Sequence, residues 1–505
     1  MAITASEVLE KVRQGEILRG EDLREILLEK VVIIGARLPE CNLTGARFMG
    51  AELRESDLTR ANLENADLRY ADVRDSRLAG AKLVGAKLRG AQVDGVTLEG
   101  ADLGGAEVEK ATFVGAELAG SRWVEAVIRD VDFSRVKGLS GSDFSEADFD
   151  SVLFPGLTLA AMSFRDGHLR LVSFQKTTLT DIDFSGCRFS RVTLDRAVCR
   201  GVRLTEVRAV NCTFREVDLE GADLRGVSFE TCDLSRARIC RANLRKITAN
   251  RYSQLKEIVL DESDLSGAVL DGVDLSRSSL KRVNLKGTSL RQANLSGCDL
   301  EGTDLSGAII DGANLSGAHL KGAVIPPSML SGKELVLEGL SLEGIVLEGG
   351  SFRGVGWKGV CLVRAKISKT DFQGADLSNA DLTEADLSFA DLRGANLSGC
   401  NLSGASCSGA VLVDANLSRA RLQGTRLNDA DLRGAKLDGA DLHGALLAGA
   451  SAAWKDIKGA RFGPDTLVGL TIHGEIAGLP QKNLPSSFEV KKNLALMLHR
   501  MKDEE

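Results

Sequence analysis

The sequence predicts an all-β solenoid, and the first observation behind this prediction is a repeat of five residues. Between Gly374 and Ala405 the chain reads GADLS NADLT EADLS FADLR GANLS GCNLS GA, with leucine at every fifth position. Five residues turn an α-helix through about 500°, so these leucines would not form one apolar stripe. In a flat strand, where side chains alternate, an odd period would turn each leucine away from the previous one. The pattern therefore favours short extended pieces joined by bends, each piece forming one side of a coil.

The second observation concerns where those bends fall. Glycine frequently stands two residues after the leucine, as in Leu392-Arg393-Gly394, and the chain has 54 glycines but only 7 prolines. Glycine tolerates the left-handed backbone that tight corners often need. We therefore expect a corner at this position of each repeat.

Tandem copies of Ala-(Asp or Asn)-Leu-x-x resemble the pentapeptide-repeat proteins. The resemblance extends roughly from Leu23 to Ile472. It implies a right-handed quadrilateral parallel β-helix with four sides per coil. It also implies that Leu or Phe and the small residue two positions earlier pack inward, while the polar residues point outward.

Interruptions of the repeat predict the domain organisation. The repeat slips by one residue near 134–139 and again near 246–254, and it becomes irregular around Pro326-Pro327. A repeat array does not follow the usual relation between length and domain number, because each unit contacts only its neighbours. The predicted segments are a capping helix at 1–17, a β-helix at 18–324, a joint or loop at 325–341, a second β-helix at 342–474 and a tail with an amphipathic helix at 475–505.

A short helix is predicted at each terminus. Thr4-Ala5-Ser6-Glu7 has the pattern of a capping box and predicts a helix that ends near Gln14. Ser486-Ser487-Phe488-Glu489 has the same pattern, and apolar residues follow it at helical spacing. The C-terminal helix is interpreted as a cap over the last coil or as a homodimer or partner-docking helix, through Val490, Leu494, Met497, Leu498 and Met501.

The ten cysteines are explained by the repeat. Eight of them occupy inward positions, whereas Cys240 and Cys361 fall at outward positions and are the candidates for exposed thiols. There is no CxxC pair, and the five histidines are scattered without metal-ligand or triad spacing. We therefore expect no catalytic site, no metal and no cofactor.

Charge is the feature that points to a binding surface. Residues 51–150 contain 13 Lys and Arg against 20 Asp and Glu, whereas residues 151–250 contain 16 against 11. Residues twenty apart are expected to stack, so Arg188 with Arg208 and Arg225 with Arg245 would form basic rows. These arginines form either a solvated face balanced by neighbouring acids or a docking strip for an acidic partner, with Arg188, Arg191, Arg208, Arg225, Arg238 and Arg245 as candidates.

The resulting functional prediction is a non-enzymatic, rod-shaped scaffold that binds unidentified protein partners. A helix followed by Gly15-Glu16 is similar to the start of pentapeptide-repeat proteins that accompany bacterial contractile secretion machines. One alternative, also suggested by the family resemblance, is a DNA mimic that regulates or protects DNA gyrase; another is a secreted effector. We expect a cytoplasmic protein with no membrane span, because apolar runs are short and the first residues lack a signal peptide. Direct binding of nucleic acid is not expected, since the net charge is −7.

Overall fold

The computed structural model describes residues 3–325, 330–331, 337–463 and 466–473. The chain divides into two compact units, Met1–Asp274 and Leu275–Glu505. Within each unit the described residues wind as a parallel β-solenoid, in which each coil pairs with the next. The prediction of an all-β repeat fold is confirmed.

The pairing between coils has a register of twenty residues, so each coil contains four of the five-residue units. Asp376 pairs with Asn396, for example. The N–H of Leu377 donates to the carbonyl of Asn396 at 2.7 Å, and the N–H of Asn396 donates to the carbonyl of Ala375 at 2.8 Å. Both main-chain bonds recur along the solenoid, which satisfies backbone groups that would otherwise be costly to bury.

The apolar positions of the repeat line the inside of the coils. Leu377 and Ala375 are fully buried, whereas the side chain of Asp376 between them points outward and is half-buried. Alternation over these three residues is that of an extended strand. It explains why the repeat needs a small residue and a large apolar residue two positions apart.

The corner of each repeat has left-handed backbone geometry whether or not it is glycine. Gly394 has φ of 64° and Glu384 has φ of 57°. Each corner N–H bonds to the following coil, from Gly394 to Val413 O at 2.9 Å and from Glu384 to Ser403 O at 3.0 Å. These bonds offset the steric cost of roughly 1–2 kcal/mol that a side chain incurs in this conformation. Glycine is thus favoured at the corner but is not required there.

The register lengthens where the sequence departs from the five-residue period. At the first two interruptions the paired residues are 21 apart, in Glu117 with Gly138 and Asp233 with Gln254. At the third interruption they are 22 apart, in His319 with Ser341. The segments 326–329 and 332–336 lie outside the described residues. The joint proposed at 325–341 therefore stays a prediction, whereas the boundary between the compact units follows Asp274.

Asn250 stabilises the extra residue of the second irregularity. Its side-chain oxygen accepts hydrogen bonds from the N–H of Thr231 at 3.1 Å and the N–H of Tyr252 at 3.2 Å. The corner expands, and Arg251 and Tyr252 are exposed there. An inserted residue is accommodated at a corner because the inward column of side chains can then continue unchanged.

Regular strands form mainly on one face of the first unit, and most other pairings are isolated bridges. The strands are β1 (Glu107–Glu109), β2 (Val127–Arg129), β3 (Asp148–Asp150), β4 (Thr158–Ala160), β5 (His168–Arg170), β6 (Thr178–Thr180), β7 (Arg188–Ser190), β8 (Arg208–Val210), β9 (Ser228–Glu230), β10 (Thr248–Ala249), β11 (Ser451–Ala453) and β12 (Thr471–His473). Eight of them form a parallel sheet in the order β1-β2-β3-β5-β7-β8-β9-β10, while β4 pairs with β6 and β11 pairs with β12. Two helices have bounds within the described residues, α1 (Ala5–Arg13) and α2 (Trp454–Ile457).

Aromatic side chains fill the interior of the first unit in columns. The rings of Phe154 and Phe174, one coil apart, have centroids 5.0 Å apart and planes inclined by 3°. Trp123 and Phe144 stack in the same way across a 21-residue step, with centroids 5.4 Å apart. The interior column is therefore continuous through the first irregularity, and it contributes both buried area and ring contacts.

Nine of the ten cysteines are buried, and all ten are free. The prediction of an exposed thiol at Cys240 is wrong, since only 9% of this residue is exposed. Cys240 lies between Arg238 and Arg241, whose long side chains both reach Glu220 of the preceding coil. Cys361 is half-buried and is the most accessible cysteine of the described chain.

The first coil is preceded by α1. Thr4 and Glu7 form both halves of the predicted capping box, and Val8 is fully buried. The predicted C-terminal helix, with Val490 to Met501, lies outside the described residues. Among the helices that are described, none has the length and apolar character needed to cross a membrane.

Candidate protein-interaction surface

The six candidate arginines occupy three different faces of the first unit. Arg188 and Arg208 are register partners on β7 and β8, and Arg191 follows at the corner after β7. Arg225 and Arg245 lie in adjacent coils of the face that carries the Asp223 and Asn243 pair, as predicted for residues twenty apart. Arg238 belongs to a third face, where its backbone forms a parallel β-bridge with Asp218. The candidates therefore do not form one continuous strip.

Four of these arginines are held by carboxylates. Three of them reach acids in a neighbouring coil, whereas Arg225 binds an acid two residues earlier. The N to O distances are 3.1 Å for Arg208 to Glu230, 2.6 Å for Arg225 to Asp223, 3.2 Å for Arg238 to Glu220 and 3.9 Å for Arg245 to Asp264. For these four residues the first of the two interpretations above, a face balanced by neighbouring acids, describes the observed contacts.

Arg225 belongs to a motif that sequence reasoning missed. The residues before and after the central apolar residue point to the same side, so Asp-apolar-Arg places a carboxylate beside a guanidinium. Nε of Arg225 donates to Oδ1 of Asp223 at 2.9 Å, and Nη2 donates to Oδ2 at 2.6 Å. The same fork occurs in Asp22 with Arg24, Asp67 with Arg69, Asp72 with Arg74, Asp391 with Arg393 and Asp431 with Arg433.

These forks stabilise the ionised form of the aspartates. The side-chain hydrogen bond from Arg225 is the main reason why the pKa of Asp223 lies below its ordinary value of 3.8. Arg69 and Arg393 lower the pKa values of Asp67 and Asp391 in the same way. A repeat unit with this motif therefore neutralises itself locally, and its charges are poorly suited to recognising a partner.

Arg188 and Arg191 differ from the other four candidates. Both are exposed, and neither forms an ion pair with any residue that the structure describes. Across β5, β7 and β8 the outward side chains include no acid: they are His168, Arg170, Arg188, Ser190, Arg208 and Val210.

The carboxylates of the two strands that flank this group are already used. Asp150 of β3 binds Arg170, and Glu230 of β9 binds Arg208. Asp166 and Glu206 stand at the corners before β5 and β8, and no ion pair joins either of them to Arg188 of β7 in the described part of the chain. We call the outward residues of β5, β7 and β8, together with the corner residues Leu171 and Arg191 and with Leu153 of the adjoining face, the Arg188 patch.

No group of three or more His, Cys, Asp or Glu residues in the described segments has the geometry of a metal site. His443 is the histidine with a defined partner, since its Nδ1 lies 2.6 Å from Oδ1 of Asp441. This hydrogen bond is the largest cause of the lowered pKa of Asp441. The contact resembles the Asp-apolar-Arg forks, with histidine in place of arginine.

Several solved structures are similar to this chain, with low TM-scores. HetL, a regulator of heterocyst differentiation from Nostoc sp. strain PCC 7120, is 23% identical, and the match covers 63% of this chain and 97% of HetL with a TM-score of 0.11. Full-length QnrB1, a plasmid-mediated fluoroquinolone resistance protein, is 17% identical, with coverage of 50% and 91% and a TM-score of 0.16. Rfr23 from Cyanothece 51142 is 32% identical, with coverage of 21% and 64% and a TM-score of 0.13.

Among curated protein sequences, none matches this chain. The family model for pentapeptide repeats matches it ten times, at residues 27–65, 56–95, 173–208, 193–230, 210–248, 253–292, 284–322, 361–399, 390–429 and 425–463. These matches cover more than half of the sequence, and each spans 36 to 40 residues, which is about two coils. The chain therefore belongs to the pentapeptide-repeat family.

Proposed function

We propose that this chain is a non-enzymatic scaffold that binds other proteins through the outer faces of its coils. The observation that carries the proposal is the stacking of outward side chains in register. Nδ2 of Asn396 donates to Oδ1 of Asp376 at 2.9 Å, and Nδ2 of Asn416 donates to Oδ1 of Asn396 at 3.2 Å. Side chains held in this way at a spacing of about 4.8 Å lose little entropy when a partner binds.

A role beside a bacterial secretion machine is the narrower form of this proposal. It depends on the N-terminal arrangement of α1 followed by Gly15-Glu16 and the first coil. A secreted effector with the same binding surface is its alternative. Measuring whether the chain stays inside cells or appears outside them, in strains with and without the secretion machine, separates these two roles.

A DNA mimic that regulates or protects gyrase is the second candidate, favoured by the acidic balance of residues 51–150. Many of those acids are paired, however, as in Asp67 with Arg69 at 2.6 Å and Asp102 with Arg122 at 3.0 Å. Alternating charges on one face differ from the uniform phosphate charge of DNA. We therefore rank this function second. A supercoiling assay tests it, and an unchanged gyrase rate at micromolar concentrations of the chain would exclude it.

The scaffold proposal is tested by identifying a partner and rebuilding the complex. The full chain is cross-linked in cells, the cross-linked peptides are identified by mass spectrometry, and the purified partner is mixed with the purified chain. Light scattering should give a complex of fixed stoichiometry. If none of the cross-linked proteins forms a complex in purified form, the proposal fails.

A homodimer through the C-terminal helix is a separate proposal, since Val490, Leu494, Met497, Leu498 and Met501 lie outside the described residues. Light scattering on the full chain and on a chain ending at Gly474 tests it. A dimer that becomes a monomer on truncation supports this interface, and equal masses per chain in the two samples would refute it.

A further inference from the structure

We propose that the Arg188 patch is a docking site for an acidic protein segment that also carries apolar side chains. This inference rests on the scaffold proposal and names the surface and the chemistry of the partner. Of the six candidate arginines it retains Arg188 and Arg191. It adds Leu153 and Leu171, which a count of charged residues does not reveal.

Uncompensated charge is the first observation that supports the site. Outward acids are missing from three successive strands, and the flanking acids Asp150 and Glu230 are bound to Arg170 and Arg208. An incoming carboxylate would therefore meet Arg188 without displacing an existing ion pair. At Arg225 or Arg238 it would have to compete with Asp223 or Glu220.

The corner that follows β7 carries no acid in four successive coils. Ser151, Leu171, Arg191 and Asn211 are the successive corner residues, and none of them is acidic. Beyond the corner, the outward column contains Leu153, Ser173, Thr193 and Thr213. On this side of β7, Arg188 and Arg191 therefore lie beside neutral or basic outward groups, whereas the corner on the other side carries Asp166 and Glu206 in the adjacent coils.

Exposed leucines are the second, independent observation. Leu171 is 37% exposed and Leu153 is 41% exposed. Leu171 also has φ of 55°, a left-handed conformation that costs a leucine about 1–2 kcal/mol and that glycine would adopt freely. An apolar side chain kept at a strained, exposed corner next to Arg191 fits an interface in which apolar contact accompanies charge pairing.

Together these observations favour an acidic protein segment over a nucleic acid. Phosphate binding uses many basic groups along a groove. Here, two arginines without an ion pair among the described residues stand beside two leucines, one serine and two threonines. Carboxylates of the partner would bind the guanidiniums in a bidentate manner. Its apolar side chains would cover Leu171 and Leu153.

The test uses the full chain and a short fluorescein-labelled peptide made of Asp, Glu and Leu. Its controls are the same peptide with Asn and Gln in place of the acids, and a labelled single-stranded DNA. The informative protein is the double variant Arg188→Ala with Arg191→Ala. Its matched control is Arg225→Ala with Arg238→Ala, which removes the same charge from arginines that are already paired. Leu171→Gly probes the apolar contact at a corner where glycine is favoured.

We expect fluorescence anisotropy to show binding of the acidic peptide that weakens about five- to tenfold in the Arg188 and Arg191 variant. The matched control should change by less than about twofold, and Leu171→Gly should weaken binding severalfold. Equal losses in both double variants would overturn the inference, as would equal binding of the uncharged peptide. Tighter binding of DNA that depends on Arg188 and Arg191 would reassign the patch to nucleic acid.

The scaffold proposal and this inference fail in different ways. If a cross-linked partner binds the Arg188 and Arg191 variant as tightly as it binds the unaltered chain, the partner uses another face. In that case the inference is wrong while the scaffold proposal stands.

Discussion

The guanidinium of Arg225 is bound to the carboxylate of Asp223 by a fork of two hydrogen bonds, although the two residues are only two positions apart. The contact is possible because both side chains emerge from the same side of an extended unit, on either side of buried Leu224. Five further pairs have this arrangement. These six units carry their own counter-charge, whereas other arginines depend on acids in neighbouring coils or have no ion pair among the described residues.

Acidification should destabilise the protein through these forks. The pKa of Asp223 is lowered in the folded state, so the stabilisation is present above the unfolded pKa and is lost as the pH falls through the folded pKa. We expect the urea midpoint to decline below about pH 4. Arg225→Ala should reduce this dependence slightly, while Arg188→Ala, which removes an unpaired arginine, should leave it unchanged. Identical pH profiles for Arg225→Ala and the unaltered chain would contradict this role of the fork.

Interior aromatic columns should carry a large share of the stability of the first unit. Phe164 is fully buried and stacks on Phe184 at 5.0 Å, whereas Phe389 is 65% exposed at a corner. We expect Phe164→Ala to lower the free energy of unfolding by about 3–5 kcal/mol. Phe389→Ala should change it by less than about 0.5 kcal/mol. Guanidinium titrations monitored by circular dichroism compare the two, and similar losses would contradict the stacked interior.

Thiol reactivity should distinguish one cysteine from the other nine. Burial raises the pKa values of Cys187 and Cys407 to about 12, and Cys361 is half-buried. In the native protein we expect one thiol per chain to react promptly with Ellman's reagent, since the thiolate is the reactive form. All ten should react in denaturant. Cys361→Ser should abolish the prompt reaction, and Cys240→Ser should not; the reverse result would show that Cys240 is the accessible thiol.

The corner conformation should make glycine substitutions costly even where space is free. A Cβ added at Gly100 would meet no atom within 4 Å, yet φ at this position is 63°. We expect Gly100→Ala to lower the free energy of unfolding by about 1 kcal/mol. Gly100→Asn should cost less, because asparagine tolerates the left-handed region better. Thermal unfolding of both variants measures the difference, and no loss in either would mean that hydrogen bonds alone determine the corner.

The five-residue period was sufficient to predict which residues pack inside. Phe164 and Cys187, for example, stand at inward positions of the repeat, and both are buried. The assignment succeeds because extended geometry fixes the direction of each side chain within a unit. Cys240 shows the limit: its outward position follows from the repeat, but its burial depends on how two neighbouring arginines reach Glu220 in another coil.

The coil, its inward and outward positions and the family follow from the amino-acid pattern, because these depend on contacts within five residues and on their repetition. Which charges remain unpaired depends instead on contacts between coils. Arg188 and Arg208 look equivalent in the repeat, but Arg208 forms an ion pair with Glu230, whereas Arg188 forms none with a described acid. Such partners lie about one coil away in sequence. The pairing of charges therefore depends on the register between coils, and the extra residues at the irregular corners change that register.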